Sequence, residues 1–82
     1  MASSAYRVYE VRISLHSDEP DVIDCVATQN GRYMAAVAIA LALVRRDPTC
    51  RIRSIKVTPS YDAEANAALI RSAEIFDEPE HG

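Results

Sequence analysis

Glycine, cysteine and histidine are scarce in this chain, and each scarcity removes a kind of protein. Glycine occurs only at Gly31 and Gly82, so there is no Gly-rich loop to cradle a phosphate or a dinucleotide. Cys25 and Cys50 are the only cysteines. With His16 they have neither the paired spacing nor the roughly four ligands of a zinc site, and two thiols make no disulfide framework. His16 falls at a strand end and His81 in the acidic tail, neither with an orienting acid or a nucleophile at a motif spacing. No catalytic residue, cofactor or metal is therefore expected, and the chain reads as a non-enzyme. The longest apolar run, Met34 to Val44, is 11 residues, whereas a membrane-spanning helix needs about 20. The opening "MASSAYRVYE" lacks the basic and apolar regions of a secretory leader, which points to a reducing cytoplasm and free thiols.

What is present suits one folded domain, 1–82, with loose ends expected at 1–5 and 77–82. Nearly half the residues, 49%, are hydrophobic, too many for a disordered chain. A chain this short buries only about 60% of its unfolded surface, so each large apolar side chain counts.

From Tyr6 to His16 the sequence alternates, with Tyr9, Val11, Ile13 and Leu15 on one face and Tyr6, Val8, Glu10, Arg12 and Ser14 on the other. That is the period of a strand. The turn formers "SDEPD" follow, then a second strand from Val22 to Thr28. Asn30-Gly31 opens an alanine-rich helix to Arg46, whose closing arginines complement the macrodipole before Pro48 stops it. Cys50 to Thr58 is a third strand whose alternation slips. A bulge near Arg53 and Ser54 would return Ile52, Ile55 and Val57 to one side. Ser60 or Asp62 then caps a second helix running to about Phe76, with Ala65, Leu69, Ala73 and Phe76 as its apolar stripe. The order ββαβα with short connections implies an α+β two-layer sandwich. Its antiparallel sheet has three strands in the order 2-1-3, with two helices on one face and the other face open.

The first helix is apolar on two sides. Met34, Val37, Leu41 and Val44 are assigned to the sheet. Ile39 and Leu43 lie opposite and need a cover, either the second helix or another chain, since leaving them in water forgoes roughly 1.5 to 3 kcal/mol each.

Charge is segregated. Residues 1–31 carry two basic against five acidic groups, 32–56 six against one, and 57–82 one against six, so the segments stand at −3, +5 and −5. The acidic groups Asp18, Glu19 and Asp21 at the hairpin tip, with Glu64, Glu74, Asp77 and Glu78 on the second helix and tail, are the candidate partner-binding residues. They would steer the protein onto a basic surface. An alternative uses Arg45, Arg46, Arg51, Arg53 and Lys56 for nucleic acid, with Tyr6, Arg12 and His16 on the open sheet face. Against it stand the isoelectric point near 5.2 and the structural work that helix-end and edge-strand arginines do anyway. A third reading is a homodimer or adaptor joined through Val8, Val22 and Val26 on the open face, or through Ile39 and Leu43.

Size, ββαβα order, acidic balance and the absence of visible chemistry together resemble the small phage-encoded anti-CRISPR proteins that block type I interference complexes. The resemblance runs from Tyr6 to Phe76 as architecture and charge, and no motif carries it. It implies a stoichiometric inhibitor in the cytoplasm of a bacterial host, bound through its acidic surface to a subunit of the surveillance complex so that target DNA is excluded without turnover.

Overall fold

A computed structural model describes residues 5–77, excepting the Asp77 side chain. Five elements follow in order: β1 (Arg7–Leu15), β2 (Val22–Thr28), α1 (Gly31–Arg46), β3 (Ile52–Pro59) and α2 (Ala63–Asp77). The fold is α+β, with a three-stranded antiparallel sheet of order β2-β1-β3, as the alternation and connection lengths imply. Of the ends expected to be loose, 1–4 and 78–82 lie outside the described residues.

β1 is central. Tyr9 stands opposite Val26 on one side and Pro59 on the other, and Val11 opposite Asp24 and Val57. The expected bulge is present: Ser14 pairs with Ser54 but Leu15 pairs with Ile52. Arg53 is thus the extra residue, and skipping it brings Ile52 back to the face of Ile55 and Val57. On that face Val11, Ile13 and Leu15 form the core with Ala35 and Leu43 of α1, and Tyr9, Val22, Val26, Ile39, Ala40, Cys50, Ile52 and Val57 pack around it.

The rotation of α1 is the reverse of the sequence expectation. Ala35 and Leu43 are buried and Ile39 is half-buried, while Met34, Leu41 and Val44 are the exposed ones. Size decides the matter. Ala35 ends at its Cβ, so the helix backbone can settle close to Val11 and Ile13, and Ile39 and Leu43 fill the space one and two turns further on.

α2 also departs from expectation. It packs on β1 and β2 but not on α1. Tyr6 and Val8 are buried yet stand outside the α1-side core, and by alternation they point to the reverse face of the sheet. There the Tyr6 hydroxyl donates to the Ala73 carbonyl at 3.4 Å. Each helix therefore has its own side of the sheet, and the reverse face is covered at the Tyr6 and Val8 end. Polar ties set the rotation of α2. The Ser60 hydroxyl donates to Asn66 Oδ1 (2.7 Å), and Asn66 Nδ2 donates to the Ser60 carbonyl (2.8 Å). Asn66, Leu69, Ile70 and Ala73 are thereby turned inward, while Ala65 and Phe76 of the expected stripe are exposed. The cap is Asp62, whose Oδ1 accepts the Ala65 N–H at 3.1 Å, as one of the two expected residues.

Candidate partner-binding surfaces

The acidic residues fall into two separate patches. The hairpin tip follows Leu15, whereas α2 is anchored at the other end of β1 by Tyr6 and by the Ser60 N–H, which donates to the Val8 carbonyl at 3.0 Å. Between Val8 and Leu15 a strand runs about 23 Å, so Asp18, Glu19 and Asp21 form a patch apart from that of Glu64 and Glu74. Asp21 is moreover engaged by Arg12, with Nη1 to Oδ2 at 3.7 Å. Of the other proposed contacts, the Asp77 side chain and Glu78 lie outside the described residues.

The segregated charges of the sequence meet in space. The connection from α1 to β3 turns back tightly: the Asp47 N–H donates to the Leu43 carbonyl (2.8 Å) and the Cys50 N–H to the Asp47 carbonyl (3.1 Å). Asp47 Oδ1 accepts from both the N–H and the hydroxyl of Thr49, at 3.2 and 2.7 Å. This turn lies beside the hairpin, with the His16 N–H donating to the Arg51 carbonyl at 2.9 Å. A shallow cleft between them is lined by His16, Ser17, Glu19, Asp47, Thr49 and Arg51, carboxylates and guanidinium together. Arg45, Arg46, Arg51 and Arg53 are exposed at this end and make no ion pair among the described residues. Of the three residues expected to accompany them on the open face, only His16 is both exposed and without an ion pair among the described residues. Tyr6 is buried beneath α2, and Arg12, though exposed, already pairs with Asp21.

The residues considered for a dimer contact are also inside the protomer. Val8 and Leu43 are buried, and Val22, Val26 and Ile39 are half-buried against the core. Exposed apolar surface lies elsewhere. None of the described side chains of α2 is fully buried, and its last turn holds out Ile75 and Phe76, which are 64% and 87% exposed, next to exposed Glu74. Tyr61 is similarly open just before the Asp62 cap. Phe76 is legible in the sequence as apolar, but periodicity places it in the core, because a helical period does not register the Asn66 and Ser60 hydrogen bonds that fix rotation. The second apolar surface is the back of α1, with Tyr33, Met34, Leu41 and Val44.

Neither thiol is in a disulfide. Cys25 stands opposite Glu10, and its pKa is raised, first by burial and then by the Glu10 and Asp24 carboxylates, with a hydrogen bond to Ser60 working the other way. That environment keeps the thiol protonated and weakly nucleophilic at neutral pH. Among the described residues no group of three or more His, Cys, Asp and Glu side chains is placed to hold a metal ion. No described helix is long and apolar enough to cross a membrane.

No family model matches the chain, and no curated protein or solved structure matches it.

Proposed function

We propose that this protein acts without turnover by binding another protein, docking on a basic surface of its partner through α2. The observation that carries this reading is the state of α2 itself. An acidic helix that fully buries none of its described side chains in its own fold, yet ends in an exposed Phe76 beside Glu74, has the make-up of a binding element. A large aromatic anchor supplies the energy, and the helix carboxylates Glu64 and Glu74 supply steering and register. In the form the anti-CRISPR resemblance suggests, the partner is a DNA-receiving subunit of a type I CRISPR surveillance complex in the bacterial cytoplasm. The bound helix would then occupy the path of the nucleic acid. The hairpin acids Asp18 and Glu19, at the other end of β1, would make a second and independent contact.

The test is capture of purified surveillance complex by the immobilised protein over a salt series. Phe76→Ala is expected to weaken binding at least tenfold, and Glu64→Lys with Glu74→Lys to weaken it further and flatten its salt dependence. Binding that ignores all three changes would remove α2 as the docking element. One observation favours a second reading: Arg45, Arg46, Arg51 and Arg53 at the hairpin end, without ion pairs among the described residues, suit phosphate contact. A gel-shift with single-stranded and duplex DNA and RNA separates the two. A shift abolished by Arg51→Ala with Arg53→Ala supports nucleic-acid binding, and no shift at low salt eliminates it.

A further inference from the structure

The two edge strands of the sheet differ in what their outer flanks offer. The Ser60 N–H donates to the Val8 carbonyl. Antiparallel pairs alternate between bonded and non-bonded, so Thr58, Lys56 and Ser54 are the residues of β3 that bond to Glu10, Arg12 and Ser14 of β1. The N–H and carbonyl groups of Ile55 and Val57, with the carbonyl of Pro59, therefore point away from the sheet. They meet no partner among the described residues. On β2 the outward groups belong, by the same alternation, to Ile23, Cys25 and Ala27. There the middle donor is already taken, because the Cys25 N–H donates to Asp24 Oδ1 at 2.9 Å. α2 also packs on β2 and not on β3. The edge of β2 is thus closed at its centre, and that of β3 is open. We propose that the free edge of β3 takes up an extended acidic segment of another protein as a fourth strand, antiparallel like the pairs already in the sheet.

Charge and facing together set the sequence of that segment. From Cys50 to Thr58 the chain carries Arg51, Arg53 and Lys56 and no acidic residue. All three are exposed and make no ion pair among the described residues. Cations on an edge deter a second copy of the same strand, since β3 against β3 would oppose like charges. The same cations suit a strand that carries aspartate or glutamate. Ile55 and Val57 share the α1 side of the sheet, where Ile55 is 38% exposed, whereas Lys56 stands on the reverse side. Side chains of an incoming strand alternate in the same way. Those opposite Ile55 and Val57 are accordingly apolar, and the one opposite Lys56 is acidic.

The two ends of the edge limit its length. Pro59 has no N–H to offer, and the bulge at Arg53 bends and twists the strand, which leaves Ser54 to Pro59 as the receiving stretch. A contact this short is transient. It uses neither α2 nor the hairpin acids, so it stands independently of the docking reading above.

Titration of the isotope-labelled full chain with a capped octapeptide of alternating valine and glutamate, read by amide hydrogen exchange, tests this. The Ile55 and Val57 amides should exchange freely in the chain alone and become protected as the peptide binds. Those of Lys56 and Thr58, already bonded to β1, should change little. Lys56→Glu should weaken binding of this peptide about fivefold and strengthen that of its valine-lysine counterpart. Its circular dichroism spectrum and melt should be unchanged, because Lys56 is exposed. N-methylated peptides read the backbone bonds. Methylating the valines removes the amides that face Ile55 and Val57 and should abolish binding, whereas methylating the glutamates should leave it intact. Absence of binding at millimolar peptide, binding without protection of Ile55 and Val57, or indifference to both methylations would each overturn the proposal. Loss on methylating only the glutamates would mark a parallel strand and overturn the antiparallel assignment. An edge that ignores the peptide while Arg51, Arg53 and Lys56 hold an oligothymidylate would assign these cations to nucleic acid and overturn it as well.

Discussion

Cys25 shows how much of this molecule's chemistry is set by neighbours distant in sequence. Its thiol pKa is raised by burial and by the carboxylates of Glu10 and Asp24, and Glu10 faces it only because β1 and β2 pair in this register. The thiolate is thus disfavoured in the folded state relative to the unfolded chain. The associated stability is fully present below the ordinary thiol pKa near 9.0 and is lost as pH rises through the higher folded value. Above about pH 9 the wild-type chain should lose stability faster than Cys25→Ser, as followed by urea midpoints across the alkaline range. Iodoacetamide at pH 7.5 should label Cys25 more slowly in the folded than in the unfolded protein, and Glu10→Gln should speed the folded reaction. Gly31 makes a second residue-scale case. It opens α1 at a φ of +89°, and no neighbouring atom lies within 4 Å of the point where a Cβ would stand, so the cost of a side chain is conformational and not steric. Gly31→Ala is expected to destabilise by about 1 to 2 kcal/mol and Gly31→Asn by less, both measured by denaturant unfolding.

At the scale of elements, the two sides of α1 differ in what a truncation should do. Leu43 lies in the core cluster and Leu41 does not. Leu43→Ala should cost about 2 to 5 kcal/mol, and Leu41→Ala, in monomeric solution, well under about 1 kcal/mol. Ala35→Leu should be destabilising by roughly 1 to 3 kcal/mol in spite of its good helix propensity, since the helix sits close to the sheet at that point. Urea titrations of the three variants at a concentration where the chain is monomeric measure all of this, and similar losses at 41 and 43 would contradict the observed rotation. The contrast also explains what the sequence made legible. Strand periods, the bulge at Arg53, the stop at Pro48 and the Asp62 cap are local signals, each carried by a few adjacent residues, and all are found in the structure. The rotation of α1 and the placement of α2 depend on packing between elements. With apolar residues on both sides of α1, periodicity offers two equivalent answers, and only the closeness of approach permitted by Ala35 separates them. For α2 the deciding groups are Asn66, Ser60 and Tyr6, whose polar atoms meet partners that no helical wheel displays.

The whole molecule measures 47 × 32 × 19 Å along its principal axes, and its helices stand on opposite sides of one small sheet and do not stack on each other. Three consequences for association follow. The acidic surface splits into a hairpin patch and an α2 patch at the two ends of β1. The arginines after α1 come to lie beside the hairpin acids, so the segment charges of −3 and +5 partly compensate one another where they meet. Large apolar side chains are left outside on both broad faces: Met34, Leu41 and Val44 on one helix, Ile75 and Phe76 on the other. Charge reversal at Glu64 and Glu74 should therefore alter partner capture without altering the same capture step through Asp18 and Glu19, a separation that single and combined variants in the salt series would reveal.

The central position of β1 has a consequence for how the chain reaches this state. The strand that pairs on both sides is the first to be synthesised, and its second partner is the last strand of the sheet, with Tyr9 opposite Pro59 and Leu15 opposite Ile52. Until residue 59 has left the ribosome, one flank of β1 has its amide and carbonyl groups open to water and unpaired with any strand, and the hairpin can be held only by its own turn and by α1. Closing that flank means joining segments far apart along the chain. Topology of this kind slows the search for the native state, and a nascent or truncated chain lacking β3 presents a bare strand edge to its neighbours.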